Sequence, residues 1–241
     1  MNKAFKVRYQ MASPIVARDG IRLDALIMKL YLEEVEVDLK RVPVTETWKY
    51  VHLPLKKVPF GSDKFYYAAS HGLYEAKVVY KDRFFKRIDT MSLLQNAGID
   101  NVNTGSGKFC SAINEFEEIH VDYVEFYGVG EVDMCEELLS RVSSLGGLRK
   151  QGKGIVNDFE FEVLDKDVPN WGCWLGNVAV RNIPVQKGEV SRYLGIMRGG
   201  EFKLNLIQAR IVPPYHYRCT EGKEMCLGVG SETADKGHNR R

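Results

Sequence analysis

The chain has 241 residues, of which 44% are hydrophobic and 27% charged, an ordinary composition for one large globular domain with elaborations. Its 34 basic and 32 acidic residues leave a net charge of +2, so an anion-binding surface must come from local clustering. The five scattered cysteines argue against a disulfide framework. No apolar run has membrane-spanning length and the N-terminus lacks an apolar signal core, so we expect a cytoplasmic protein without a membrane partner.

The first fifty-odd residues are predicted to hold strands and one helix. Apolar and polar side chains alternate over residues 4–11, which predicts a half-buried strand. Leucine and isoleucine side chains at helical spacing in residues 22–34 predict an amphipathic helix. Alternation over residues 34–44 and a proline-broken run at 50–58 predict further short strands.

The middle of the chain changes character. Residues 65–80 predict two strands joined by a turn at His71-Gly72. Residues 81–117 begin basic and aromatic and then become rich in Gly, Asn, Ser and Thr, which is typical of an insertion on a core. Regular alternation returns over residues 118–130 and predicts another strand.

A helix over residues 131–147 and an alternating strand around 159–163 complete this part of the chain. Without the insertions, the order is strand, helix, strand, strand, helix, strand. This order predicts an α+β fold with a ferredoxin-like core, the RRM-like split βαβ arrangement with an antiparallel sheet and both helices on one face. We expect the core in residues 1–164, an insertion at about 75–117, and a β-rich extension over 165–241 that ends in a frayed tail.

The stretch between the second helix and the last strand, residues 145–154, combines four glycines with three cations. Glycines let backbone amides approach an anion without obstruction, and Arg149, Lys150 and Lys153 add positive charge. The Gly-x-Gly at 152–154 leads into a strand, which excludes phosphate loops that need a helix after the glycines. Spacing alone favours a basic surface turn over an anion-binding loop.

The position of this loop points to a family. "LGGLRKQGKGIV", residues 145–156, resembles the glycine-rich loop that the RAMP superfamily of CRISPR-associated proteins carries between its second helix and last strand. Residues 12–34, "ASPIVARDGIRLDALIMKLYLEE", and residues 209–217, "ARIVPPYHY", resemble parts of the 5′-handle-binding subunit of type IV effector complexes. Residues 81–117 are not matched by motif.

The resemblance implies a non-catalytic RNA-binding subunit that needs no cofactor and no metal. Such a subunit caps the 5′ handle of a CRISPR RNA (crRNA), contacts the backbone RAMP subunits and the large subunit, and lies near target DNA in the complex. Its glycine-rich loop contacts RNA, and an inserted thumb hairpin separates the handle from the guide. The RNA-binding residues predicted in the loop are Gly146, Gly147, Arg149, Lys150, Gln151, Gly152, Lys153 and Gly154.

The basic and aromatic stretch at 77–89 occupies the position of the thumb. Cations there can bind phosphates while aromatic rings stack on unpaired bases, at ~1–3 kcal/mol per base. A surface hairpin with its aromatic side chains packed on the core is the structural alternative. The RNA-binding residues predicted here are Lys81, Arg83, Phe84, Lys86 and Arg87, and those predicted towards the C-terminus are Arg210, Tyr215, His216 and Arg218.

His71 is predicted to contact RNA. The main alternative function, an RNA-cleaving enzyme, also depends on this residue. Close to Tyr66, Tyr67 and Tyr74, it could act as a general base on a ribose 2′-OH. The chain would then be a metal-independent RAMP endoribonuclease that processes precursor crRNA. A second alternative is a protein-interaction subunit whose glycine-rich stretch is only a turn.

A metal site is not expected near the C-terminus. His216, Cys219 and Cys226 offer three ligands where a structural zinc needs four, so buried or free thiols are favoured. Trp171 and Trp174 are expected to pack on the core or to anchor an interface.

Overall fold

The fold is that of a computed structural model, which describes residues 2–17, 20–34, 52–60, 64–86, 112–164, 171–175, 178–184, 206–210 and 223–227. The strand predicted over 34–44 lies outside these residues, except that Glu34 ends the first helix. The middle of the insertion and the C-terminal tail also lie outside them.

The central sheet is antiparallel and is built around β1 (Asn2–Met11), as the alternation in 4–11 predicted. β1 pairs on one side with β6 (Tyr123–Glu131) and on the other with β7 (Val156–Leu164). Single bridges from Ala69 to Gly128 and from Leu73 to Glu125 place residues 69–73 along the outer edge of β6. Across the sheet, the order is therefore residues 69–73, β6, β1 and β7.

Two helices, α1 (Leu23–Glu34) and α2 (Val132–Ser140), pack against this sheet and against each other, so they share one face of it. The strand residues that face them are apolar: Phe5, Val7, Tyr9, Val124 and Phe126 are all fully buried. Tyr9 donates a hydrogen bond from its hydroxyl to the carbonyl of Leu139, 2.9 Å away. Each Phe, Tyr or Leu buried in this layer stabilises the fold by about 1.5–3 kcal/mol.

The remaining strands form small sheets around the core. β2 (Lys57–Phe60) pairs with β3 (Lys64–Tyr67), and β4 (Val78–Lys86) pairs along its whole length with β5 (Ala112–His120). The C-terminal part contributes β8 (Trp174–Leu175), β9 (Val178–Ala179), β10 (Ile183–Pro184), β11 (Leu206–Arg210) and β12 (Lys223–Leu227). Strands and two helices together make the described chain an α+β fold.

The predicted second helix is shorter than its apolar stripe. α2 ends at Ser140, whereas the helical spacing continued to Leu145. Val142 and Leu145 are still buried, but residues 143–145 are extended and pair with residues 154–156. The stripe predicted burial correctly and helix length wrongly, because Val142 is buried from the turn after α2 and Leu145 from the extended segment.

Two strand boundaries also differ from the predictions. The single strand predicted over 118–130 is two strands, since β5 ends at His120 to pair with β4 and β6 begins at Tyr123 to pair with β1. The turn predicted at His71-Gly72 is wrong, because residues on both sides of it pair with β6. Alternation in the sequence reveals neither the break between β5 and β6 nor the course of residues 69–73, because tertiary contacts decide which strands pair.

Candidate nucleic-acid interface

The glycine-rich loop is a closed loop folded onto the segment that follows β1. The amide of Leu145 donates to the carbonyl of Gly154 at 2.8 Å and closes the loop. Gly147 donates to the carbonyl of Val16, and Gly154 to that of Pro14, both at 2.7 Å. The loop is therefore held by main-chain bonds to the strand-end segment whose sequence supported the family resemblance.

The same segment reaches the base of the β4–β5 hairpin on its other side. Ile15 and Ile119 of β5 exchange two main-chain hydrogen bonds of 2.9 Å. Three stretches singled out in the sequence, the strand-end segment 12–17, the loop 145–154 and the hairpin arm β5, thus meet at one end of the sheet.

Two glycines of the loop are required by close backbone packing. Gly146 and Gly154 have positive φ angles of 80° and 67°. A β-carbon on Gly146 would lie 2.6 Å from the carbonyl oxygen of Val16, and one on Gly154 would lie 1.8 Å from that of Leu145. Gly152 also has a positive φ, 78°, but a β-carbon there would meet no atom within 4 Å.

Five of the ten backbone amides of the loop, that of Leu145 among them, donate to carbonyls within the fold. In addition to Gly147 and Gly154, the amide of Gln151 donates to Leu148 at 2.8 Å and that of Gly152 donates to Arg149 at 3.0 Å. These four amides hold the loop in shape rather than face an incoming anion. The predicted phosphate contacts of the loop therefore depend more on its side chains than the glycine pattern indicated.

The three cations of the loop differ in their surroundings. Arg149 and Lys150 lie with Gln151 on a short 3₁₀ helix, and all three side chains are exposed. Lys153 instead forms an ion pair with Glu118 of β5, where both side chains are largely shielded from solvent. Two of the three predicted phosphate-binding cations are thus available at the surface, while the third ties the loop to the hairpin.

The hairpin carries exposed cations and exposed apolar side chains. Lys81 and Arg83 of β4 are exposed, with Lys81 opposite Glu117 in the ladder and Arg83 Nε 2.9 Å from Glu115 Oε1. The first three residues of β4 have large side chains that are between 42% and 56% exposed: Val78, Val79 and Tyr80. Lys81, Arg83 and Lys86 less Asp82 leave β4 with a charge of +2, which the −3 of Glu115, Glu117 and Glu118 on β5 outweighs.

The other predicted RNA-binding residues are only partly described. Phe84 and Lys86 lie near the far end of the β4–β5 ladder, opposite Asn114 and Ala112. Arg210 ends β11 and pairs with Lys223 of β12. Arg87, Tyr215, His216 and Arg218 lie outside the described residues.

His71 sits in a different environment from the loop. Its amide donates to the carbonyl of Val180 at 2.8 Å, and its backbone bridges to Arg22. Burial, together with the positive charges of Arg22 and Arg181, lowers the pKa of His71 to about 3. The ring is therefore neutral at pH 7 and is a weak base, which suits hydrogen bonding better than proton abstraction.

The sheet face away from the helices carries a charged network that the sequence reading missed. Lys6 and Arg8 of β1 lie 2.8 and 2.6 Å from Oε1 of Glu125 in β6, and the hydroxyl of Tyr127 donates to Oε2 at 2.9 Å. Burial would raise the pKa of Glu125, but hydrogen bonds from these three groups outweigh it and lower the pKa. Only the pairing register shows that these residues are neighbours.

Both tryptophans pack within the described fold. Trp171 donates from its indole nitrogen to the carbonyl of Phe5 at 3.0 Å and meets the ring of Tyr127 edge-on. Trp174 is half-buried against a small cluster that includes Ala68 and Cys173. The C-terminal extension is thus anchored to the core by its aromatic side chains.

No protein-family model matches the chain, and the curated proteins contain no significant match to it.

In the part of the chain that the structure describes, no group of three or more His, Cys, Asp or Glu side chains is placed to hold a metal ion. Neither described helix has the length and apolar character needed to cross a bilayer.

Proposed function

We propose that this chain is a non-catalytic RNA-binding subunit of a type IV CRISPR effector ribonucleoprotein. In this proposal it caps the 5′ handle of the crRNA in the cytoplasm. It would contact the backbone RAMP subunits and the large subunit, with target DNA nearby. The observation that carries the proposal is the solvent-facing pair Arg149 and Lys150 on a loop braced against the base of the β4–β5 hairpin.

The arrangement of strands supports a ferredoxin-like core as part of the proposal. The order of residues 69–73, β6, β1 and β7, all antiparallel, is the order expected for a split βαβ fold with its two helices on one face. Within that fold, the glycine-rich loop precedes β7, the last strand of the core, and the β4–β5 hairpin would serve as the thumb.

The RNA contacts we propose are mainly electrostatic. Arg149 and Lys150 would bind handle phosphates, and Lys81 and Arg83 would continue the path along the hairpin. Exposed Tyr80 at the root of β4 offers a ring on which an unpaired base can stack. We assign no catalytic role to His71, since its lowered pKa leaves it a poor base at neutral pH.

The proposal is tested by titrating the full chain with repeat-derived 5′-handle RNA at several salt concentrations, with fluorescence anisotropy as the readout. Each lost phosphate contact to a single strand should reduce the slope of log K against log[salt] by ~0.7. The double variant Arg149→Ala/Lys150→Ala should therefore bind more weakly and lose ~1.4 from the slope.

A matched control, Lys29→Ala/Arg141→Ala, removes one exposed cation from α1 and one from the residue after α2. Lys29 pairs with Glu33, and Arg141 pairs with Glu137 and Glu34. This control should leave both affinity and salt slope close to those of the unaltered chain. The proposal fails if the loop variant and the helix variant behave alike. Cleavage of repeat RNA in EDTA that is lost in His71→Ala would establish the endoribonuclease instead.

A further inference from the structure

A small cleft opens on the sheet face away from the helices, at the end where β1 finishes and β6 and β7 begin. It has a volume of about 180 Å³. This is smaller than the ~300–1,000 Å³ typical of pockets for drug-sized ligands, so it suits one side chain or one planar group. Its lining residues have polar or charged side chains and come from the three central strands and from the residue before β6: Arg8, Gln10, Asp122, Tyr123, Asp158 and Glu160.

The cleft has a net negative charge once its internal pairs are counted. Glu125 accepts from Nε of Arg8 at 2.8 Å and lies 2.6 Å from its Nη2, and it shares the same carboxylate oxygen with Lys6 at 2.8 Å. Asp122 is paired with Lys77 at 2.7 Å. Asp158 and Glu160 are both exposed. Asp158 accepts a hydrogen bond from the amide of Phe159 through Oδ1 at 2.8 Å, and Glu160 has a long contact of 3.7 Å to Arg8.

The cleft already accommodates one guanidinium, which shows what chemistry it suits. Arg8 lies over the ring of Tyr123 at 4.8 Å while its nitrogens face carboxylates. An aromatic face combined with in-plane carboxylate acceptors is the environment that a planar guanidinium prefers. Tyr123 is 38% exposed, so part of its ring remains open beside Asp158 and Glu160.

We propose that this cleft binds an arginine side chain presented by a partner protein. The incoming guanidinium would donate hydrogen bonds to the carboxylates of Asp158 and Glu160 and would pack beside Tyr123. The proposal does not depend on the handle-binding role of the loop, because none of these residues belongs to the loop or the hairpin.

Charge complementarity favours a protein over an RNA at this face. Glu162 of β7 is exposed on the same face and lies opposite Lys6 in the ladder. The face around the cleft carries five carboxylates, on Asp122, Glu125, Asp158, Glu160 and Glu162, against three cations, on Lys6, Arg8 and Lys77. Phosphates would be repelled there, whereas a cationic segment would be attracted. The acidic sheet face and the basic loop thus offer separate surfaces for two kinds of partner.

The probe for the test is a fluorescently labelled peptide with arginine at every third position and glycine and serine between, beside an otherwise identical lysine peptide. Binding to the full chain is followed by anisotropy. Removing both open carboxylates in Asp158→Asn/Glu160→Gln should weaken arginine-peptide binding by at least ~5-fold. The lysine peptide should bind the unaltered chain more weakly than the arginine peptide, because it cannot make bidentate contacts.

The matched control removes two exposed carboxylates from α2, Asp133→Asn/Glu136→Gln, on the opposite side of the sheet. Its affinity for the arginine peptide should stay within about twofold of the unaltered chain. Equal losses in both double variants, or equal binding of the two peptides, would overturn the proposal. So would an RNA affinity that falls in the cleft variant while peptide binding is unchanged, since the cleft would then serve RNA.

Discussion

At the scale of single residues, the glycines of the loop serve packing before they serve any ligand. Gly146 and Gly154 allow main-chain atoms to approach carbonyl oxygens more closely than any β-carbon would permit. Gly152 shares their left-handed conformation but lies in open space. The pattern that predicted anion binding is thus explained in large part by the way the loop folds onto residues 14–16.

This difference predicts unequal costs for two alanine substitutions. Gly152→Ala should lower the free energy of unfolding by about 1–2 kcal/mol, the cost of placing a β-carbon in a left-handed conformation. Gly154→Ala adds a collision with the carbonyl of Leu145 and should cost more than about 3 kcal/mol. Urea denaturation measures both, and similar losses for the two variants would contradict the close approach.

His71 predicts a pH dependence of stability. Its pKa is about 3 in the folded chain against 6.5 for a free histidine, so between these values the unfolded chain binds more protons. Stability should therefore fall as pH drops from about 6.5, by up to ~1.4 kcal/mol per pH unit. Carboxylates with lowered pKa values, such as Glu125, lose their contribution only below 4.5, so pH 5–6.5 isolates the histidine.

Urea denaturation at several pH values between 5 and 6.5 checks this expectation. The slope of unfolding free energy against pH should flatten in His71→Gln. His52→Gln, at an exposed histidine, serves as the control and should keep the slope of the unaltered chain. A slope that survives in His71→Gln would mean that another group is responsible.

At the scale of elements, the loop and the hairpin are joined by one shielded ion pair. Lys153 and Glu118 are 24% and 10% exposed, whereas Arg83 and Glu115 in the same hairpin are 65% and 63% exposed. Ion pairs gain strength as solvent is excluded, and loss of one partner leaves an uncompensated charge. The first pair therefore orients the loop against β5, while the second is a surface contact.

A double-mutant cycle on each pair tests this distinction. Glu118→Gln should lower the free energy of unfolding by about 1–3 kcal/mol, because it leaves Lys153 partly buried without a counter-charge. The cycle completed with Lys153→Met should show clear coupling. The matched cycle of Arg83→Ala and Glu115→Ala should show only ~0.2–1 kcal/mol. Equal coupling energies would remove the special role of the shielded pair.

At the scale of the whole molecule, residues 171–184 connect the C-terminal part to the core through a buried charge. Arg181, 3% exposed, forms an ion pair with Asp24 at 3.7 Å and donates to the carbonyls of Tyr67 and Ala69. Its guanidinium also stacks over Tyr66 at 5.0 Å. One side chain thus links the start of α1, the residues after β3 and the extension.

Removal of this link should destabilise the whole fold. Arg181→Met leaves the carboxylate of Asp24, 1% exposed, without this counter-charge and should cost about 3–5 kcal/mol. The double variant Arg181→Met/Asp24→Leu should recover part of the loss, because no buried charge is then left unpaired. Thermal and urea unfolding measure both. A double variant that is less stable by the sum of the two single losses would contradict the pairing.

Alternation and helical spacing in the sequence determined β1, α1, β7 and the α+β class, since burial of one face imposes a period that can be read directly. The sequence alone also located the glycine-rich loop and its three cations. These features are local, because they depend on neighbouring residues and on the geometry of a single strand, helix or turn. The family resemblance and the RNA-binding role built on them stay predictions.

Only the tertiary structure decided what is non-local. The break between β5 and β6, the end of α2 at Ser140 and the course of residues 69–73 all follow from which segments pair. The ion pairs are non-local as well. Lys153 contacts Glu118, 35 residues away in the sequence, and Arg8 contacts Glu125, 117 residues away. No periodicity encodes such pairs, because long-range packing and sheet register bring these residues together.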